Sequence, residues 1–314
     1  MIQAGSHSNS AVANIDLSTK KTIILAGASG ELGRKIAGYL IQNGARVKAL
    51  VRSTTSTAAI DALKSKGIQV VVTDYQNVQQ LAEICAGSNC VVSALSGLED
   101  VIIDTQKRLL QAAIDAGVPR FIPSDYSIDY TKLEPGTNRN LDLRRTFNQH
   151  LDNTSIAATS LLNGMFTDLL KGQAPIILYS LKRVVYWGDA DQPLDFTTLD
   201  DTAAYTAKAA VDSTTPRYLR IAGEVSSARG LCRSAGDISG QPFRLLRAGG
   251  LGGLKTMIKI TRTLAPQKKE VFPPWQGMQY MHNMFTGLPK LTPLDNDRYP
   301  DMKWTSVADV IKTR

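Results

Sequence analysis

The sequence predicts an α/β fold: a doubly wound parallel sheet followed by a smaller C-terminal lobe. Three observations carry this. Apolar runs of strand length alternate with longer amphipathic segments through the first half of the chain. Gly44, Gly67 and Gly117 each follow one of those segments closely, where a left-handed helix end favours glycine. A glycine triplet, Gly27-Ala-Ser-Gly30-Glu-Leu-Gly33, separates the first strand from the first helix.

Taken in order, the expected strands are Thr22 to Ala26, Arg46 to Val51, Gln69 to Thr73, Cys90 to Ala94 and Arg120 to Pro123. Each combines β-branched or aliphatic residues with a polar boundary. Between them, Gly33 to Asn43, Thr57 to Lys66, Val78 to Cys85 and Val101 to Ala116 read as helices. Further on, Ser155 to Leu162 reads as a sixth strand, Arg183 to Trp187 as an extended run, Thr202 to Val211 as a helix and Arg217 to Ala222 as a strand. The domain organisation expected is a flexible leader over 1–20, a nucleotide-binding domain over 21–165 to which 183–222 returns, a lobe over 226–292, and a closing segment over 293–314 whose helix, Thr305 to Lys312, packs back on the body. The lobe reads as mobile or irregular, with the cluster Gly249-Gly250-Leu251-Gly252-Gly253 as a place where it closes over a ligand.

Composition narrows the function. The chain has 314 residues, 43% hydrophobic and 20% charged, the proportions of a globular protein with a large core. Its net charge of +8 is scattered, with no block of Lys and Arg to serve as a nucleic-acid tail. The three cysteines, Cys85, Cys90 and Cys232, show no CxxC spacing, which points away from a zinc site or disulfide framework and towards a reducing, cytoplasmic setting. The three histidines, His7, His150 and His282, are too dispersed for a metal site. No window approaches the length of a membrane span.

The glycine triplet lies where such a motif acquires meaning, after a β-branched strand and at a helix start. Gly27 permits the tight turn, Gly30 lets backbone amides approach phosphate, and Gly33 allows close helix packing. Ser29, Glu31 and Leu32 complete the loop at the positive end of the helix, a place for a pyrophosphate. This is a Rossmann-type dinucleotide site. The second strand ends in Leu50-Val51-Arg52 rather than in the acidic residue that meets the ribose hydroxyls of NAD. Arg52 and Arg34 together suit a 2′-phosphate, so NADP(H) is the expected cofactor. Asp74 ends the third strand near the adenine position, and Ser93, Ala94 and Leu95 end the fourth along the crevice.

The segment Ala116-Gly-Val-Pro-Arg120-Phe-Ile-Pro-Ser124-Asp125-Tyr126 resembles the fifth-strand signature of the NmrA-like and isoflavone reductase-like families, atypical members of the short-chain dehydrogenase superfamily. The glycine loop, the Val51-Arg52 strand end and Asn296-Asp-Arg-Tyr-Pro-Asp-Met-Lys-Trp304 are similar to the same family's patterns. The resemblance implies a Rossmann domain with NADP(H) in the cleft, contacted also by Pro123 and Asn163, and a variable lobe over a substrate pocket. It implies one of two activities: reduction of phenolic compounds, or dinucleotide sensing without turnover, through a regulatory protein partner. In the reductases a lysine on the helix after the fifth-strand loop assists proton transfer. Counting back from Asn163, that position falls near Arg145, and the helix Asn140 to His150 contains no lysine.

Candidate chemistry is therefore sought nearby. The YxxxK pairing is absent, since neither Tyr126 nor Tyr130 has Lys four places on. Lys132 lies near the expected nicotinamide end, and a desolvated lysine can transfer protons. Tyr126 can donate to a substrate carbonyl, while Arg145 can orient or polarise but is a poor proton shuttle. Asp125 and Asp129 suit capping or turn roles. In the lobe, Trp275, Met278, Tyr280, Met281, Met284 and Phe285 recur at helical spacing and form core first, with some free to face a flat aromatic ligand. The expected function is an NADPH-dependent reductase of a small aromatic or carbonyl-containing substrate, with a homodimer or a regulatory protein as the expected partner and the sensor as alternative.

Overall fold

A computed structural model describes residues 20–314; the expected leader and His7 lie outside them. The first half follows the strand-helix alternation closely. Strands β1 (Thr22–Ala26), β2 (Arg46–Val51), β3 (Gln69–Val72), β4 (Cys90–Ser93) and β5 (Arg120–Ile122) alternate with α1 (Glu31–Gln42), α2 (Thr57–Lys64), α3 (Val78–Cys85) and α4 (Gln106–Asp115). Helix α1 starts earlier than its apolar pattern, because Gly30 rather than a later residue is its cap. A π-helical turn, Asp100–Thr105, precedes α4 where one helix was expected. Gly44, Gly67 and Gly117 all have positive φ.

After α5 (Arg139–Leu151), the expected sixth strand is split into β6 (Ala157–Ala158) and β7 (Ser160–Leu162). The break is a change of neighbour: Thr159 still donates its amide to Phe121, whereas Ser160 donates to Arg217. The main sheet is parallel in the order β3-β2-β1-β4-β5-β6. Alternate residues of β1 face opposite cores: Ile23 and Leu25 meet α1 through Ile36 and Leu40, while Ile24 and Ala26 meet α3 and α4 through Leu81 and Leu109. This two-sided burial is why the strands read as continuous apolar runs.

The second half departs from expectation. Its strands are β8 (Met165–Phe166), β9 (Ile177–Leu178), β10 (Arg183–Trp187), β11 (Leu194–Thr197), β12 (Tyr218–Arg220), β13 (Glu224–Ser226) and β14 (Arg244–Gly249). Only β12 returns to the body, pairing in parallel with β7. Strand β10, expected to do the same, pairs with β9 and β14 in a separate sheet. Helix α6 (Leu199–Val211) packs on α1, and Lys35 of α1 bridges to Asp200 at 2.9 Å. The lobe is regular: α7 (Ala228–Ser239), α8 (Leu251–Leu264) and α9 (Pro274–Phe285) are helices. The glycine cluster is a strand exit and a helix start, with Gly249 at φ +139° and Gly250 capping α8. The closing helix, α10 (Val307–Lys312), begins at a capping box of Ser306 and Asp309.

Candidate functional site

The carboxyl ends of the parallel strands form one edge, and the glycine turn is its centre. Gly27 has φ +79°, and a Cβ there would stand 2.5 Å from the Ala94 carbonyl oxygen, so the turn rests directly on the end of β4. At Gly33 a Cβ would lie 2.1 Å from the Gly27 carbonyl oxygen. The two glycines thus let the start of α1 touch the loop that leads into it. Gly30 donates its amide to Gly27 (3.0 Å) and caps α1 in an extended conformation without any side-chain acceptor. The amides of Glu31, Leu32 and Gly33 at the start of this helix therefore have no side-chain cap, which leaves the positive end of a 12-residue helix for an anion.

The neighbouring strand ends converge on this turn. Ser124 donates its hydroxyl to the Leu95 carbonyl (2.6 Å), fastening β5 to β4, and its amide donates to the buried Gln106 side chain (3.0 Å). Pro123 and Ser93 are buried, Ala94 and Leu95 half-buried, and the Ser93 hydroxyl has no protein partner. Asn163 follows β7 with its backbone engaged by Ser127 and Thr197, yet its wholly buried carboxamide has no partner at either atom. Arg52, Arg34 and Glu31 are exposed at the rim, with Arg34 reaching back to the Ser29 carbonyl (3.3 Å). Asp74 is exposed and accepts the Gln76 amide (2.9 Å), the turn geometry its sequence context allows.

The three residues expected to carry chemistry are each held by the protein. Tyr126 is buried in the core beneath α6, not open at the edge, and burial pushes its hydroxyl well above the ordinary tyrosine range. Lys132 donates to the Lys290 carbonyl (2.6 Å) and lies 3.6 Å from Asp129, fastening the segment after α9 to the body. Arg145 donates to the carbonyls of Tyr130 (2.6 Å) and Leu133 (2.7 Å), so its guanidinium holds the loop before α5. Asp125 is wholly buried; one carboxylate oxygen accepts from Tyr130 (3.0 Å), Asn148 (2.7 Å) and Ser160 (2.6 Å), and burial raises its pKa. Asp129 caps the turn that follows it and accepts from Arg220 at 2.7 Å. His150 is exposed, and half-buried His282 has its pKa lowered by burial and by Lys255.

On the lobe side, Trp275, Met284 and Phe285 are core, whereas Met278, Tyr280 and Met281 are half-buried. Trp187 of β10 packs edge-on to Phe285 at 6.1 Å, and its indole N–H lacks a protein acceptor. Buried amides join α9 to the start of α5: Gln276 donates to Asn138 (2.6 Å), and Asn138 donates to Asn283 (3.2 Å). Sequence reasoning missed these amides, Trp187, Gln106 and Tyr75. Gln106 alone left a signal, as a polar residue among Ile102, Leu109 and Ala113 on one buried helical face. Among the described residues no group of three or more His, Cys, Asp or Glu could hold a metal ion, and no helix is long and apolar enough to cross a membrane.

Residues 19–245 match the model of the NmrA-like family. A probable pinoresinol-lariciresinol reductase of Arabidopsis thaliana is 23% identical over 312 residues, spanning 94% of this chain and 97% of its own. Among solved structures, AtPrR2 with NADP+ and (+)-pinoresinol superposes with a TM-score of 0.78 at 21% identity, over 94% of this chain and 98% of that one. The binary complex of leucoanthocyanidin reductase and NADPH from Vitis vinifera gives 0.77 at 18% identity, over 93% and 98%. At these identities the structures establish a shared fold.

Proposed function

The chain belongs to the NmrA-like family, and from that premise we propose that it is an NADPH-dependent reductase of a small, aromatic or carbonyl-containing molecule held beneath the C-terminal lobe. The observation that carries the proposal is the glycine turn. Two positions exclude any side chain, and the helix they introduce has no side-chain cap. Support for a reductase comes from relatives that bear that name and align over nearly the whole chain.

In this reading the backbone from Ser29 to Gly33 holds the pyrophosphate, with Gly27 shaping the turn. Arg52 and Arg34 pair with the 2′-phosphate, and Asp74 lies towards the adenine. Ser93, Ala94 and Leu95 line the middle of the crevice, and Pro123 and Asn163 border the nicotinamide end. Asn163 brings an unpaired carboxamide to that end, one donor and one acceptor for a polar group. The nicotinamide, when bound, supplies the hydride. The chain's own part is to exclude water and orient the acceptor: Arg145 and Lys132 hold the loop around residues 130–133 and the segment it meets. Half-buried Trp187, Tyr280 and Met281 offer apolar surface for a flat ligand.

The test is consumption of NADPH with a panel of aromatic carbonyl, enoyl and benzylic ether compounds, alongside titration with NADPH and NADH. Turnover of at least one compound is expected. Tight NADPH binding with no turnover would move the assignment to a dinucleotide sensor acting through a protein partner. Arg52→Ala should weaken NADPH by about tenfold or more and spare NADH; equal losses would remove the 2′-phosphate assignment.

A further inference from the structure

One buried side chain beneath the crevice has no part in the roles assigned so far. Tyr75 follows β3 with φ +62°, a left-handed conformation uncommon for a residue with a side chain. Its surroundings fix it from several directions. The amide donates to the Thr73 hydroxyl (3.2 Å), and Arg108 of α4 donates to its carbonyl (2.9 Å). The side chain is only 3% exposed, and its hydroxyl donates to the Leu50 carbonyl at 3.1 Å. Leu50 lies two residues before Arg52 and pairs with Ala26, the residue before Gly27. The phenol thus closes on the end of β2, the strand beside the glycine turn, and burial raises its pKa.

We infer that Tyr75 is a positioning residue for cofactor selectivity: its hydroxyl holds the end of β2 at the Leu50 carbonyl, opposite the residue that enters the glycine turn, and so sets the span between the pyrophosphate amides and Arg52. The inference rests on the dinucleotide reading above. Its logic is geometric. Both NADPH and NADH use the glycine turn, but the 2′-phosphate alone reaches Arg52. Loosening the end of β2 relative to the turn therefore penalises NADPH selectively. The residue's strained backbone is consistent with a place where surrounding contacts hold a geometry the chain would not choose.

The experiment is titration of wild type, Tyr75→Phe, Arg52→Ala and the double variant with NADPH and NADH, with thermal unfolding measured in parallel. Tyr75→Phe should weaken NADPH by about tenfold, the scale of one lost hydrogen bond, and NADH by less than about threefold. In the Arg52→Ala background Tyr75→Phe should affect both dinucleotides alike. An unchanged NADPH to NADH ratio in Tyr75→Phe overturns the inference while leaving the dinucleotide reading intact. Wild type that binds neither dinucleotide overturns both. Should Tyr75→Phe fail to fold, Arg108→Met keeps the phenol but frees the Tyr75 carbonyl. It should shift the ratio in the same direction, and an unchanged ratio there counts equally against the inference.

Discussion

Two glycines of helix α1 make opposite predictions for the same substitution. At Gly33 an added Cβ would stand 2.1 Å from the Gly27 carbonyl oxygen, 2.8 Å from its carbonyl carbon and 2.9 Å from the Ala28 Cα. These are backbone atoms resting on β4, so they cannot swing aside. Ordinary contact begins near 3.4 Å, and the start of the helix would have to withdraw by more than an ångström. Overpacking of this kind costs about 1–3 kcal/mol, and the better helix propensity of alanine returns no more than about 1 kcal/mol. Gly38, one and a half turns on, meets nothing within 4 Å of its added Cβ. There only the propensity acts, and Gly38→Ala should stabilise by about 0.5–1 kcal/mol. At roughly 2 °C per kcal/mol for a chain of this size, thermal unfolding should show Gly38→Ala slightly above wild type and Gly33→Ala below it. A titration should add the functional half: a displaced helix start carries its amides away from the phosphate, and NADPH affinity should fall about tenfold or more in Gly33→Ala alone. A Gly33→Ala protein as stable as Gly38→Ala, with undiminished affinity for NADPH, would refute the reasoning.

Three further outcomes are expected. Asp212 accepts two hydrogen bonds from Arg298 (2.7 and 2.9 Å) and one from Tyr299 (2.9 Å), and these partners with Thr214 hold its carboxyl well below the usual carboxylate range despite the cost of desolvation. A depressed folded pKa means stability present above the unfolded value, about 3.9. The Tm gap between wild type and Asp212→Asn should therefore be widest above about pH 5 and shrink as the pH falls below 4; a gap independent of pH would remove the ion pair as its cause. Buried Arg120 donates to the carbonyls of Ala209 (3.0 Å) and Asp212 at the end of α6, so Arg120→Met should cost about 2–4 kcal/mol in denaturant unfolding by stranding both acceptors, and a loss under 1 kcal/mol would contradict that role. Arg145→Ala frees the Tyr130 and Leu133 carbonyls; kcat should drop with cofactor affinity unchanged, and a matching loss of NADPH binding would place Arg145 at the cofactor instead.

The parallel-sheet half of the molecule is legible because backbone constraints write themselves into sequence. A glycine triplet after a β-branched strand and glycines at left-handed helix ends are each dictated locally, within a few residues of the turn they shape. Helix α1 began earlier than its apolar pattern for a related reason: Gly30 caps it, and a glycine cap carries no hydrophobic mark. Tyr75 stayed hidden because a left-handed tyrosine held by Leu50, Thr73 and Arg108 looks, in sequence, like any aromatic in a turn. The lobe was misread where its glycines suggested irregularity, since Gly249 turns the chain and Gly250 starts a helix, a pairing that glycine content alone cannot distinguish from a flexible loop.

The contacts of the lobe with the body are hidden by distance along the chain. Lys132 meets Lys290, Asn138 meets Gln276 and Asn283, and Arg139 donates to Val271 at 2.8 Å, each contact bridging well over a hundred residues. No local pattern encodes such pairs, so a lysine that closes a seam and a lysine that moves a proton read identically in sequence. The structure separates these roles through what each nitrogen touches. Arg145 likewise closes a seam, its guanidinium donating to the carbonyls of Tyr130 and Leu133 on the loop before α5.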